Sequence, residues 1–348
     1  MMKKRIAVVG PGLIGREHVK LIQASQRCEL AAIVAPDKAN HKNYAKENSA
    51  SFYTDLKQCL TLEKVDGVII ASPNRHHFEQ ANVCIDMGVA VLIEKPMTAT
   101  VDEGVELADK ARALHVKVLV GHHRTYSPIM VKAREIIQSG KIGKVVSIMG
   151  SAQFYKPKKY FEAGAWRMVK GGGPILINLI HEVGNFRSLC GDIGAVQAMA
   201  SSEVRQFEVE DTVAINFGFK NGVVGTFLLS DTAASCRSWE QTSGENPSYA
   251  SYPQDEAYLV SGTLGSLSIP SMLLRYYSPN TEASWWTPFE EMVIPVERTN
   301  PLAGQLSHFI DVLEGTANAQ VSAQDGLQNL LVTEAVSEAA RDGKTIYL

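Results

Sequence analysis

The first third of the chain alternates short, nearly unbroken apolar runs with amphipathic stretches. The runs Arg5–Val9, Leu30–Val34, Val68–Ala71, Val89–Ile93 and Val116–Val120 have the texture of strands buried on both faces. Between them, His77–Met87 and Asp102–Leu114 read as helices. In the second, Val105, Ala108 and Ala111 share one face beside charged Asp102, Glu103, Glu106, Asp109 and Lys110. Strand and helix alternating in this way predict a doubly wound parallel sheet.

Beyond about residue 125 the pattern changes. A helix over Ile129–Ser139 precedes a strand over Val145–Ser151, and a second helix, Leu176–Leu189, follows the breaker Gly171-Gly172-Gly173-Pro174. Period-two alternation then takes over: Val213, Ile215, Phe217 and Phe219 share a face of Thr212–Phe219. Asn221-Gly222 signals a type I′ hairpin, whose two central residues need positive φ. Val223–Leu229, Ala257–Ser261, Ser266–Ile269 and Leu273–Tyr277 continue the strands, and helices near Ala303–Leu313 and Asp325–Arg341 close the chain. The stretch Ser230–Gln254, rich in Ser, Asn, Gly and Pro, reads as a long loop. The fold class is therefore α/β, with a doubly wound domain over 1–124 and an α+β domain over 125–348 built on a large, mostly antiparallel open sheet.

At 348 residues the chain has room for two cores. Its net charge of −3 with both signs interspersed argues against nucleic acid as a partner. The five cysteines (Cys28, Cys59, Cys84, Cys190, Cys236) are dispersed, which argues against a disulfide framework and fits a reducing compartment. A strand begins almost at once, leaving no room for a signal peptide, and no apolar run is long enough to span a membrane. A cytoplasmic protein without membrane partners is expected.

The chemistry starts at the first turn. Ile6-Ala7-Val8-Val9 runs into Gly10-Pro11-Gly12-Leu13-Ile14-Gly15, the strand–G-x-G-x-x-G–helix order of a dinucleotide-binding turn, in which pyrophosphate meets the helix N-terminus. Ser72-Pro73-Asn74 follows the third predicted strand and Glu94-Lys95-Pro96 the fourth. Ligands of open α/β sheets bind beyond the carboxyl ends of the strands, so Lys95 is placed to polarise a hydroxyl or stabilise an alkoxide. An acid for the ribose is expected about 20 residues past the glycines. Ala35 stands there, with Asp37 two residues late and Lys38, His41 and Lys42 nearby, so NAD and NADP both stay open. His76-His77 and His122-His123 lack metal-ligand spacing, and His181-Glu182-Val183-Gly184-Asn185 starts like a zinc motif but ends in asparagine; no metal is expected.

These segments resemble the glucose–fructose oxidoreductase / inositol dehydrogenase / rhizopine-catabolism family of NAD(P)-dependent oxidoreductases. The resemblance rests on the glycine turn, Ser72-Pro73-Asn74-x-x-His77-x-x-x-Ala81 and Glu94-Lys95-Pro96. It continues through Gly121-His122-His123-Arg124 with Pro128, Trp166-Arg167, the triple glycine followed by His181, and Val321-Ser322-x-x-Asp325-Gly326-Leu327. It covers nearly the whole chain. It implies a Rossmann domain and an α+β domain whose open sheet forms a homodimer or homotetramer. It also implies a nicotinamide cofactor held by the glycine turn, Asp37, Ser72, Pro73, Asn74, His77, Glu94, Lys95, Arg124, Trp166 and Arg167, and a cis bond at Lys95-Pro96. Hydride exchange with a secondary alcohol or carbonyl of a sugar, polyol or related molecule follows, with Lys95 and His181 catalytic and imidazole as the acid–base group.

Relatives often carry an aspartate one turn before the histidine, where this chain has Ile177; Asn178, Glu182 or a residue of the other domain would have to replace it. Tyr155, Trp166, Asn178, Lys95 and His181 are the candidate substrate contacts, since aromatic faces with polar tips suit hydroxylated ligands. Lys156, Lys158 and Lys159 read either as an anion contact or as a solvated basic loop. Trp239, Glu240, Glu245 and the Trp285-Trp286 pair read as a lid or a subunit contact. A dihydrodiol dehydrogenase and a silent dinucleotide-binding sensor or regulator are the alternative functions.

Overall fold

A computed structural model describes residues 2–348, and the chain divides into two units: Met1–His123 with Pro301–Leu330, and Arg124–Asn300 with Leu331–Leu348. The first unit opens with β1 (Lys4–Val9), α1 (Leu13–Ala24), β2 (Cys28–Val34), α2 (Ala39–Glu47), β3 (Ser51–Tyr53) and α3 (Leu56–Glu63). It continues with β4 (Gly67–Ile70), α4 (His77–Asp86), β5 (Ala90–Glu94), α5 (Val101–Ala113) and β6 (Val118–Gly121). All six strands pair in parallel, in the order β3-β2-β1-β4-β5-β6. The order reverses between β1 and β4, so the crevice for a ligand opens past the carboxyl ends of those two strands. On α5 the buried face is Gly104, Leu107, Ala108 and Ala111, whereas Val105 is 42% exposed. Ala108 and Ala111 of the expected stripe are buried, and Val105 is the position that falls outside it.

The second unit contains α6 (Pro128–Gln138), β7 (Val145–Gln153), α7 (Lys158–Glu162), α8 (Ile180–Cys190), β8 (Ile193–Ser201), β9 (Thr212–Phe219) and β10 (Val224–Ser230). After them come α9 (Trp239–Thr242), β11 (Tyr258–Gly262), β12 (Gly265–Ile269), β13 (Leu273–Tyr276) and β14 (Glu290–Val293). The chain then adds α10 (Pro301–Leu313), α11 (Ala323–Asp342) and β15 (Ile346–Tyr347). Nine strands form one sheet in the order β14-β13-β12-β11-β7-β10-β9-β8-β15. Every pairing is antiparallel except β7 with β10. Phe186 of α8 anchors that helix on the sheet, edge-on to Phe217, Phe227 and Tyr258 with ring centroids 5.7, 5.4 and 5.6 Å away.

The hairpin at Asn221-Gly222 forms, but its loop is not type I′. Only Gly222 has positive φ (88°). Gly222 N–H donates to Phe219 O and Phe219 N–H to Val223 O. This is a three-residue loop ending in a left-handed glycine, and the Asn221 side chain is occupied by donating to Cys190 O. Ser230–Gln254 is also more ordered than its composition suggests. Ser238 caps α9, and Trp239, Thr242 and Ser243 are buried.

One boundary at 124/125 does not describe the division of the chain, because Pro301–Leu330 belongs with the first unit. The reason is apolar burial: Leu306, Phe309, Ile310 and Val312 of α10 share a core with Ile6, Val8, Ile69, Leu92 and Leu119. All five cysteines are free thiols, and among the described residues no helix is long and apolar enough to cross a membrane. Phe309 is fully buried, so Phe309→Ala should cost about 3–5 kcal/mol. Urea unfolding measures this, and a loss below about 1 kcal/mol would detach α10 from that core.

Candidate active site

In the first unit the turn from β1 to α1 is shaped by its glycines. Gly10 adopts φ +86°, and a Cβ there would lie 2.7 Å from the Ser72 backbone; a Cβ on Gly15 would lie 2.0 Å from Gly10 O. At Gly12 nothing lies within 4 Å of the same position. Helix α1 has no side-chain cap and no acid in its first turn, and Leu13 is 89% exposed. An open helix N-terminus behind a bare glycine backbone fits the pyrophosphate of a dinucleotide. Past β2, Ala35 is buried and Asp37 pairs with Lys42 at 2.6 Å.

At the carboxyl edge of the sheet, two turns are tied by one imidazole. His77, buried at the start of α4, places Nδ1 2.8 Å from Pro96 O and Nε2 2.8 Å from Ser72 O. Burial pulls its pKa below the ordinary 6.5, against the two carbonyls and Glu94, which favour the charged ring. Ser72 Oγ donates to Gln80, and Pro73 and Asn74 lead into a short 3₁₀ turn, Asn74–His76. The Lys95–Pro96 peptide is cis. Lys95 is half-buried and Glu94 buried.

In the second unit, His181 is half-buried in the first turn of α8, directly after a π-helical turn, Ile175–Leu179. Such turns are frequent at functional sites. Asn178, on the π turn, accepts at Oδ1 from Lys156 Nζ at 2.7 Å. Lys156 is not a solvated loop residue. It is buried, 3.6 Å from Asp231, over the Tyr160 and Phe154 rings, and burial lowers its pKa against the pull of Asp231. Lys158 stays exposed, near Glu162. Asp231 also accepts from Arg205 at 2.6 Å.

Next to His181, Glu182 is buried and 2.5 Å from Arg124, whose other terminal nitrogen is 2.5 Å from Glu240. Tyr258 Oη donates to the second oxygen of Glu182 and accepts from Asn185 at 2.8 Å. Burial would lower the Arg124 pKa, but Glu240 and Glu182 raise it overall, while burial pushes the Glu182 carboxyl up. With a guanidinium on one oxygen and a phenol donating to the other, the ionised pair is the state this geometry favours. Arg124, expected at the cofactor, is thus occupied by carboxylates. Trp239, Glu240 and Glu245 form no exposed lid either: the Trp239 indole donates to Glu245 at 3.0 Å, and Ser127 donates to Glu245 as well. Arg167 stacks on Tyr160 at 3.9 Å and donates to its carbonyl. Tyr155, Trp166, Trp285 and Trp286 are exposed.

Residues 4–122 match the model of the oxidoreductase family with an NAD-binding Rossmann fold, and residues 130–268 match the GFO/IDH/MocA C-terminal domain. The chain belongs to the GFO/IDH/MocA oxidoreductase family. Its relatives include the rhizopine catabolism protein MocA of Rhizobium meliloti, 26% identical over 97% of this chain and 95% of that protein. The scyllo-inositol 2-dehydrogenase (NAD(+)) of Bacillus subtilis is 24% identical over 99% of this chain and 96% of its own. Among solved structures, the WlbA dehydrogenase of Bordetella pertussis, in complex with NADH and UDP-GlcNAcA, shares the fold. It has a TM-score of 0.78 at 21% identity and covers 100% of this chain and 99% of that one.

Within this GFO/IDH/MocA chain, the structure gathers Gly10, Gly12, Gly15, Ser72, His77, Glu94 and Lys95 around the carboxyl edge of the first sheet. It gathers Asn178 and His181 at the head of α8. Sequence reasoning missed the partners Lys156–Asn178 and Arg124–Glu182–Tyr258, and it missed His18, whose Nε2 lies 2.8 Å from Glu94. His18 sits one turn past Gly15 on the buried side of α1 with Val19 and Ile22, and that apolar stripe was the available signal.

The depressed pKa of His77 fixes a sign. The unfolded ring binds protons more readily than the folded one, so this contribution to stability is present above the ordinary 6.5 and lost as pH falls towards the folded value. Urea midpoints measured from pH 7.5 down to pH 5 should fall less steeply in His77→Gln than in wild type. Equal slopes would remove His77 from the pH response.

Proposed function

We propose that this protein exchanges a hydride between NAD(P) and a secondary alcohol or carbonyl of a sugar, polyol or related hydroxylated molecule. The observation that carries this reading is the His77 ring spanning Ser72 O and Pro96 O, which holds the turn bearing Lys95 at the sheet edge where a dinucleotide would end. Bound nicotinamide supplies the hydride acceptor or donor. Lys95 stabilises negative charge on the substrate oxygen, and His181 takes or returns the hydroxyl proton. In this scheme the His181 imidazole is the acid–base group and the Lys95 ammonium the stabiliser of the oxyanion, and no metal enters it.

Asn178 takes the place left by the apolar Ile177. Because Lys156 can only donate, it fixes Oδ1 of Asn178 towards itself and turns the amide N–H₂ group into the available donor. A substrate carbonyl or hydroxyl oxygen suits that donor. The cofactor contacts are the glycine turn with Leu13 and Ile14, Ser72, Pro73, Asn74 and Glu94. Asp37, paired with Lys42, is the candidate contact to the adenosine ribose of NAD or NADP. Tyr155 and Trp166, both exposed, offer the substrate aromatic faces. Function in the cytoplasm accords with four buried free thiols among the five cysteines.

The open face of the nine-stranded sheet is read as the contact with a second copy. Ser147, Met149, Asn216, Val224, Thr226 and Leu259 line a shallow depression there whose lining carries no charged side chain. An uncharged, partly apolar sheet face of this kind is a common self-association surface.

Two measurements test these readings. A panel of polyols, aldoses, sugar acids and inositols, assayed with NAD and NADP, should yield a substrate for which Lys95→Ala and His181→Ala each lower turnover at least ~10²-fold. Near-wild-type turnover in either variant removes that residue. Thr226 lies directly beside Met149 in the β7–β10 pairing, so Met149→Lys with Thr226→Lys sets two like charges on the face. Light scattering should show the double variant at the 38.0 kDa monomer mass and the wild type at a multiple of it; a monomeric wild type ends the reading.

A further inference from the structure

We propose that His18 is a positioning residue that keeps Glu94 ionised and thereby holds Lys95 in its ammonium form. His18 lies on α1, three residues past the last glycine of the dinucleotide turn, and is completely buried. Its Nε2 is 2.8 Å from Glu94 Oε1, and its Nδ1 has no hydrogen-bond partner. Among the described residues, the ring's one hydrogen-bonding contact is therefore this carboxylate. From the other side, β6 closes over the same group: a Cβ on Gly121 would lie 2.9 Å from Glu94 Oε2. A buried carboxylate thus joins the pyrophosphate helix, β5 and β6 one residue before Lys95.

A carboxylate so placed is costly unless it is satisfied. Burial alone would raise the Glu94 pKa. The hydrogen bond from His18 and the nearness of His18, His123 and Lys95 instead bring it below the ordinary 4.5. The groups facing Glu94 are His18 from α1, His77 from α4, His123 after β6 and its neighbour Lys95. His18 donates a hydrogen bond to Glu94. Attraction between Glu94 and Lys95 is mutual, so an ionised Glu94 makes Lys95 harder to deprotonate. If the His18 donor is removed, the carboxylate is left buried with less support and takes up a proton, and Lys95 loses one negative charge that favours its ammonium form. The purpose of this arrangement rests on Lys95 acting in the proposed reaction; its existence does not.

The test needs no substrate. Reductive ¹³C-methylation of the full chain gives each lysine an NMR signal that reports its titration, and the Lys95 signal is assigned by its loss in Lys95→Arg. In His18→Leu the Lys95 pKa should fall by about one unit or more. His18→Gln, which returns an N–H donor at similar reach, should recover at least half of that shift. If His18→Leu does not fold, Glu94→Gln should produce the same fall. A Lys95 titration unchanged in His18→Leu or in Glu94→Gln overturns the proposal, and so does a His18→Gln shift as large as that of His18→Leu. Turnover by the same variants then tells separately whether Lys95 serves the chemistry.

Discussion

The imidazole of His77 spans two backbone carbonyls, and the arrangement of the dinucleotide edge depends on that span. Ser72 belongs to the turn after β4 and Pro96 to the turn after β5. Parallel strands set these turns side by side but do not fix their tips. A single rigid ring with a polar atom on each side does so with little conformational freedom to lose. The arrangement strains the ring's own chemistry, since a neutral imidazole has one proton for two acceptors. Burial keeps the second proton from being taken up easily.

The second unit solves a comparable problem with charge. His181 rides on a helix whose next residue, Glu182, is locked through Arg124 to Glu240 and through Tyr258 to the central sheet. Buried ion pairs of this sort add little net stability compared with apolar packing, yet breaking one partner is expensive. What they secure is a defined rotation and depth for the helix. Phe186, set among three aromatic rings of the sheet, supplies the apolar part of the same anchorage.

Much of this could be read from sequence, and the exceptions have physical causes. β1, β2, β4, β5 and β6 are legible because both faces are buried and their residues are almost all apolar. β3 has three residues and β14 is exposed along its whole length, so neither leaves a periodic trace; β8 is diluted by small residues. On α5 only Val105 falls outside the expected stripe, because the buried face turns towards Gly104, which packs close to Leu327 of the distant chain. The glycine turn and Lys95 announce themselves through local spacing. Arg124 does not: its carboxylates lie 58 and 116 residues away. His18 lies 76 residues from Glu94 and reads as one more amphipathic helix position. Interactions that join remote parts of the chain leave no mark on the neighbouring sequence.

The return of the chain at Pro301 bears on how the protein can be dissected. A fragment ending near residue 124 looks, from its strand pattern, like a self-sufficient nucleotide-binding module. It would nevertheless lack Leu306, Phe309, Ile310 and Val312, which fill the same core as β1 and β4. Such a truncation leaves a bare oily groove in place of a finished surface, and its behaviour in solution would reflect sticking and partial unfolding more than nucleotide affinity. A recombinant minimal module has to carry the late segment as well, joined by an artificial connection or supplied as a separate peptide.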